Sequence, residues 1–114
     1  MSELQGIVRF TFHDGKVDEF KRLSAECLEI VRAKDDGTLQ YDTYFNRDQS
    51  EAIVLERFRD SDALILHSEN MAPLMESIMA TGSVSGELLG DLSEELRAQM
   101  AGSPVGLFTL WQAL

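Results

Sequence analysis

Between Glu51 and Asn70 the chain reads EAIVLERFRDSDALILHSEN, and its apolar residues change spacing once, from every second position to every third or fourth. Ala52, Val54 and Glu56 fall on one face of an extended segment, and Ile53, Leu55 and Arg57 on the other, so this part reads as a strand. Asp60 or Ser61 then offers a side-chain oxygen to the free amides of a first helical turn, and Asp62 suits the positive end of the helix dipole. On the helix that follows, Leu64, His67, Met71, Leu74 or Met75, and Ile78 share a stripe. His67 therefore points where apolar residues would otherwise pack. Pro73 lacks an amide hydrogen, which predicts two short helices meeting near Asn70 to Ala72 rather than one long helix.

The flanking segments repeat these two patterns. Gly6 to His13 alternates, with Val8, Phe10 and Phe12 against Ile7, Arg9, Thr11 and His13, and Asp14-Gly15 turns the chain. Val17, Phe20, Leu23, Cys27, Ile30 and Val31 form a helical stripe from Lys16 to Lys34, with acids near its start and bases near its end. Thr38 to Phe45 alternates again and leads through a polar connection into the Glu51 strand. Thr81 to Gly90, rich in Gly and Ser, reads as an insertion with at most a minor strand at Glu87 to Leu89. Asp91 and Glu94 have capping-box spacing ahead of a short helix carrying Leu92, Leu96 and Met100, and Gly102 and Pro104 end it. Val105 to Leu114, VGLFTLWQAL, reads as a last strand buried on both faces.

The expected fold is α+β: a ferredoxin-like βαββαβ antiparallel sheet with helices on one face and an extra short helix before the last strand, forming one domain over residues 1–114. Helices cover only one side of such a sheet. Ile7, Ile53, Leu55, Leu107, Trp111 and Leu39 leave the other side partly apolar, and a second copy of the chain is the simplest cover.

Charge and cysteine content narrow the partners. Twenty acidic against ten basic residues give a formal charge of −10, which repels phosphate backbones and anionic lipid, so neither nucleic acid nor membrane is an expected partner. The one cysteine, Cys27, cannot form an internal disulfide and falls in a helical apolar stripe, as a buried reduced thiol would. No apolar stretch nears the roughly 20 residues of a membrane span, and the expected setting is cytoplasmic. No phosphate loop surrounds Gly82, Gly86 and Gly90, and His13 and His67 are too far apart in sequence, with no cysteine beside them, to suggest a metal site.

Leu39 to Phe45, followed by LERFRDSDALILHSEN from Leu55 to Asn70 with Asp60, Ala63, Leu64 and His67, resembles the antibiotic biosynthesis monooxygenase family of the dimeric α/β-barrel group. The resemblance implies a pocket between helices and sheet in each subunit, and a homodimer joined through the other sheet face. It further implies oxidation of a small phenolic or quinol substrate by O2 without a bound metal, flavin or other cofactor. Such chemistry needs a base to deprotonate the phenol, polar groups to hold developing charge and a pocket that excludes water. His67 is the candidate catalytic base, because imidazole titrates near neutrality. Tyr41, Tyr44, Arg57, Asn70 and Trp111 are the candidate substrate-binding residues, with Phe10, Phe12, Met71, Met75 and Met79 as further apolar wall. The competing reading is a non-catalytic dimeric ligand-binding or interaction module in which His67 is a neutral core histidine and Glu56 a solvated charge. A haem-binding protein ranks below both, since the first strand holds Ile7, Val8 and Arg9, and Phe58 stands where the haem-degrading branch has tryptophan.

Overall fold

A computed structural model describes residues 2–114, and only Met1 lies outside it. The elements run β1 (Leu4–Phe12), α1 (Val17–Lys34), β2 (Thr38–Phe45), β3 (Glu51–Phe58), α2 (Ser61–Met79), β4 (Gly82–Leu89), α3 (Glu94–Met100) and β5 (Gly106–Phe108). The first six make the expected βαββαβ unit, and the five strands lie in the order β2-β3-β1-β4-β5. The sheet is mixed and open, because β5 joins β4 in parallel while the other pairs are antiparallel.

Alternation decides what each face meets. Phe10, Ala52 and Val54 point toward the helices and pack with Phe20, Leu23 and Cys27 of α1 and with Met71 and Ile78 of α2. Nearer the other end, Leu4, Phe58 and Leu88 meet Ala63 and Leu64 of α2 and Leu96 of α3. The ring centroids of Phe10 and Phe12 each stand 4.8 Å from that of Phe20, which fixes α1 against the sheet beyond what area burial alone would do. The opposite face keeps Ile53 and Tyr44 exposed.

Three expectations are corrected. First, α2 is one uninterrupted helix with Pro73 inside it. Pro73 denies a hydrogen bond to the carbonyl four residues back, on Glu69; both residues are exposed, so water can take the donor's place. Second, Thr81 to Gly90 is no insertion: Gly82–Leu89 is the fourth strand of the unit and pairs with β1 along its length. Its glycines serve close approach rather than looping, since a Cβ on Gly82 would stand 2.1 Å from the Thr11 carbonyl oxygen. Third, the C-terminal run is not a buried strand. Only Gly106–Phe108 pairs, and Leu110, Trp111 and Leu114 are exposed.

The helix ends follow the sequence with one shift. The Asp60 side chain accepts from the Ala63 amide and starts α2. In α3 the cap is Ser93, accepting from the Leu96 amide, rather than Asp91. Ser61 Oγ accepts in turn from the Ser93 amide and ties the start of α3 to the start of α2.

Candidate functional site

His67 lies in the middle of α2 on the face turned toward β3 and the end of α1, and it is 6% exposed. Two carboxylates flank it. Its Nδ1 stands 2.5 Å from Asp35 Oδ2, and its Nε2 3.9 Å from Glu56 Oε2. Asp35 is the residue after α1, where the chain leaves the helix and its side chain can turn inward. Its carboxylate is fully engaged: Thr38 Oγ1 donates to Oδ2 at 3.2 Å, and Asn70 Nδ2 donates to Oδ1 at 2.6 Å. A carboxylate can only accept, so Nδ1 of His67 carries the hydrogen toward Asp35. The other ring nitrogen, Nε2, faces Glu56.

Glu56 owes its place to strand alternation. It follows Ala52 and Val54 on the helix-facing row of β3, and its side chain is 13% exposed rather than solvated. The residue opposite it on β1 is Gly6, and a Cβ there would stand 2.9 Å from Glu56 Oε1, so the glycine makes room for the carboxylate. Burial is the largest influence on Glu56 and raises its pKa, the His67 imidazole opposes that shift, and Asp35 adds to it. Gly6→Ala is expected to push the carboxylate aside while leaving the fold intact, because the atom in the way is the mobile end of a side chain. A thermal midpoint within about 3 °C of wild type is the expected result of a melting measurement.

A cavity of about 410 Å³ opens beside Glu56. Gly6, Val8, Val84 and Gly86 of the sheet, Leu64, Ser68, Met75 and Met79 of α2, and Met100, Ser103 and Val105 of the α3–β5 segment line it. Among the described residues, Glu56 and Glu87 are the only ionisable ones that line it, with no Lys, Arg or His. Its size and apolar lining suit a small molecule with few polar groups.

The structure brings together three of the six residues proposed from the sequence. His67, Asn70 and Tyr41 gather around Asp35, with the Tyr41 ring centroid 5.5 Å from that of His67. Burial first, then the Cys27 thiol and the Glu56 carboxylate, push the Tyr41 phenol far above its usual range, so it stays protonated. Tyr44, Arg57 and Trp111 are elsewhere. Tyr44 is exposed, Arg57 pairs with Glu3 at 3.1 Å, and Trp111 is 90% exposed on the C-terminal segment. None of the six lines the 410 Å³ cavity, whereas Met75 and Met79, expected as wall, do. Phe10 and Met71 belong to the core, and Phe12 packs against it.

Two residues escaped the sequence reading. Glu56 was marked by its position, an acid on the row of Ala52 and Val54, and the alternation that placed it there also implied burial. Asp35 carried no such mark, since the Lys34-Asp35-Asp36-Gly37 turn looks like any solvated helix end. Among the described residues, no group of three or more His, Cys, Asp or Glu side chains is placed to hold a metal ion. No helix there is long and apolar enough to cross a membrane.

A family model described as antibiotic biosynthesis monooxygenase matches residues 6–72. No curated protein sequence matches the chain. Among solved structures, MupZ from Pseudomonas fluorescens superposes with a TM-score of 0.87 at 23% identity, over 100% of this chain and 94% of that one. Rv0793 from Mycobacterium tuberculosis gives 0.71 at 25% identity, over 82% of this chain and 98% of that one. The N63A mutant of SnoaB, a cofactor-independent oxygenase from Streptomyces nogalater, gives 0.69 at 19% identity, over 82% and 96%. The family match ends within α2, so α3 and the connection after it, whose Met100, Ser103 and Val105 close one side of the cavity, lie outside it; the MupZ superposition spans them.

Proposed function

Because the chain belongs to the antibiotic biosynthesis monooxygenase family, we propose that it is a cofactor-independent monooxygenase acting on a small phenol or quinol held in the 410 Å³ cavity. The observation that carries this reading is the Glu56 carboxyl at the cavity wall with His67 and Asp35 behind it. Glu56, rather than His67 itself, touches the substrate and takes the phenol proton. His67 Nε2 receives that proton from Glu56, and Asp35 and Asn70 hold the ring in the orientation that permits it. Closing the 3.9 Å gap requires a shift of about 1 Å to reach hydrogen-bond distance.

The electrons balance without a further reductant. The phenolate gives one electron to O2, the resulting radicals combine at a ring carbon bearing hydrogen, and loss of water from that hydroperoxide leaves a carbonyl. One oxygen atom stays in the quinone and the other leaves as water. Met75, Met79 and Met100 give the cavity apolar walls, and such walls limit the water that can reach the reactive anion. The protein works as one domain and as a homodimer joined through its open sheet face, in a cytoplasmic setting where Cys27 stays reduced.

Oxygen uptake with a panel of hydroquinones tests the reading. Wild type is expected to consume O2 in proportion to quinone formed, and His67→Ala to retain about 1% or less of that rate. No uptake by wild type across a broad panel would remove the proposal.

Two observations favour other readings. Burial raises the Glu56 pKa, and whenever Glu56 carries its proton the cavity holds an acid that a phenol oxidation does not require. An isomerisation or elimination run by acid and base alone would use it, and turnover undiminished under nitrogen would select that reading. His67 is sealed from the cavity and engaged by Asp35, as in a binding module without catalysis. That reading predicts that His67→Gln leaves ligand affinity unchanged.

A further inference from the structure

Few side chains of the 410 Å³ cavity can meet a ligand's polar groups, and strand alternation sorts them. Phe10 and Leu88 point toward the helices, so Arg9 and Glu87, their neighbours in sequence, point to the open face of the sheet, where they pair with each other. Glu87 therefore borders the cavity by its backbone, and its carboxylate is neutralised on the far side. Glu56 lies on the helix-facing row of β3, with its side chain 13% exposed. Among the described residues it is the one ionisable side chain turned into the cavity, and Ser68 of α2 and Ser103 after α3 are the hydroxyl residues on the other walls.

Nothing on these walls neutralises an anion. Among the described residues no Lys, Arg or His lines the cavity, and His67, behind Glu56, is already held by Asp35. An anionic group carried in by a ligand would lose its hydration without gaining a cation, and it would stand near the Glu56 carboxyl. Two like charges a few ångströms apart repel far more strongly in a site partly closed to water than at an exposed surface.

A neutral phenol avoids this conflict throughout. When Glu56 takes the phenol proton, the negative charge moves from the wall to the ring, and the cavity holds one anion before and after the transfer. A substrate that brings a carboxylate of its own makes it two.

We infer that the cavity selects its substrate by charge: it takes uncharged phenols or quinols and rejects those that carry a fixed anionic group, with Glu56 as the specificity-determining residue. The inference rests on the cavity being the substrate site proposed above. It extends that reading by giving the carboxyl a second task, exclusion, beside proton transfer.

Two probes of nearly the same shape test it. (2,5-Dihydroxyphenyl)acetamide is neutral, and (2,5-dihydroxyphenyl)acetate carries a carboxylate on the same ring. Titration calorimetry without oxygen reads binding apart from turnover. Measurement at about pH 8 leaves the acetate ionised and the phenols protonated, and about 0.15 M salt screens surface charges more than about 8 Å away. Wild type is expected to bind the amide at least about tenfold more tightly than the acetate. Glu56→Gln is expected to reduce that ratio at least about threefold. Ser68→Lys, which places a cation on an exposed position of the cavity wall, is expected to strengthen acetate binding about tenfold and leave the amide within about threefold.

A wild-type ratio below tenfold overturns the inference, as does a ratio that Glu56→Gln leaves unchanged or an acetate affinity that Ser68→Lys leaves unchanged. The wild-type ratio needs no variant, so the test holds even where a substitution unfolds the chain. Failure of both probes to bind wild type removes the cavity as the substrate site and this inference with it. Selection between the probes, with no oxygen uptake on any hydroquinone, supports the inference and removes the proposed oxidation.

Discussion

Glu56→Gln is expected to lower kcat by about 10²- to 10⁴-fold, the range a positioned acid or base supplies, with little change in KM. Glutamine keeps the shape that Gly6 accommodates and can still hydrogen-bond a substrate oxygen, so binding survives while proton transfer does not. Steady-state oxygen uptake on the best hydroquinone measures both constants; a kcat within threefold of wild type would mean that another group takes the proton. The same substitution has an opposite consequence for stability. Burial, partly opposed by His67, raises the Glu56 pKa above its ordinary value of 4.5, so the folded protein binds more protons here than the unfolded chain does. The stability Glu56 permits is therefore fully present below pH 4.5 and is lost as pH rises from there through the raised folded value. Glu56→Gln removes that loss. Urea unfolding at pH 4.5 and at pH 8 is expected to show the variant gaining on wild type as pH rises, and parallel pH profiles would contradict the assigned burial effect.

Under the proposed function, activity and stability pull against each other at one side chain. An acid on the core-facing row of a strand weakens the fold at neutral pH, and a chain that needed only to fold would put valine there. The proposed chemistry is centred on Glu56 because the cavity beside it and the Asp35–His67 pair behind it would give the residue a use that offsets the cost.

The fold was legible where residues follow a single period. Val8, Phe10 and Phe12 gave β1, and Phe20, Leu23 and Cys27 gave α1, because packing there needs only side chains at regular steps. β4 was hidden because its job on the helix-facing row is to be thin: Gly82 approaches the Thr11 carbonyl and Gly86 lines the cavity, and glycine in a sequence looks like a loop. The C-terminal run misled in the other direction. VGLFTLWQAL has the composition of a buried strand, and composition cannot say whether the covering surface belongs to the same chain. His67 was readable from helical spacing, but its partner Asp35 lies 32 positions earlier, and only the packing of α1 against α2 brings them together.

That pairing sets the largest expected loss of stability. Asp35→Ala removes the acceptor of the His67 Nδ1 hydrogen, of the Asn70 amide and of the Thr38 hydroxyl at once, and the Asp35 side chain it replaces is 1% exposed. An unpaired buried donor costs roughly 1–3 kcal/mol, and His67 can escape only by moving into a core already filled by Phe58 and Tyr41. A loss of about 3–5 kcal/mol is expected, which for a chain of this length lowers the thermal midpoint by roughly 10–20 °C. His67→Phe alone leaves Asp35 buried with fewer donors and should also destabilise. The pair Asp35→Leu with His67→Phe removes both polar partners, so the double variant is expected to lose about 1–3 kcal/mol less than the sum of Asp35→Leu and His67→Phe measured singly. Calorimetric melting of wild type and the three variants closes that cycle. Simple additivity would show that the 2.5 Å contact contributes no coupling, and His67 would then lack the fixed orientation that proton transfer from Glu56 requires.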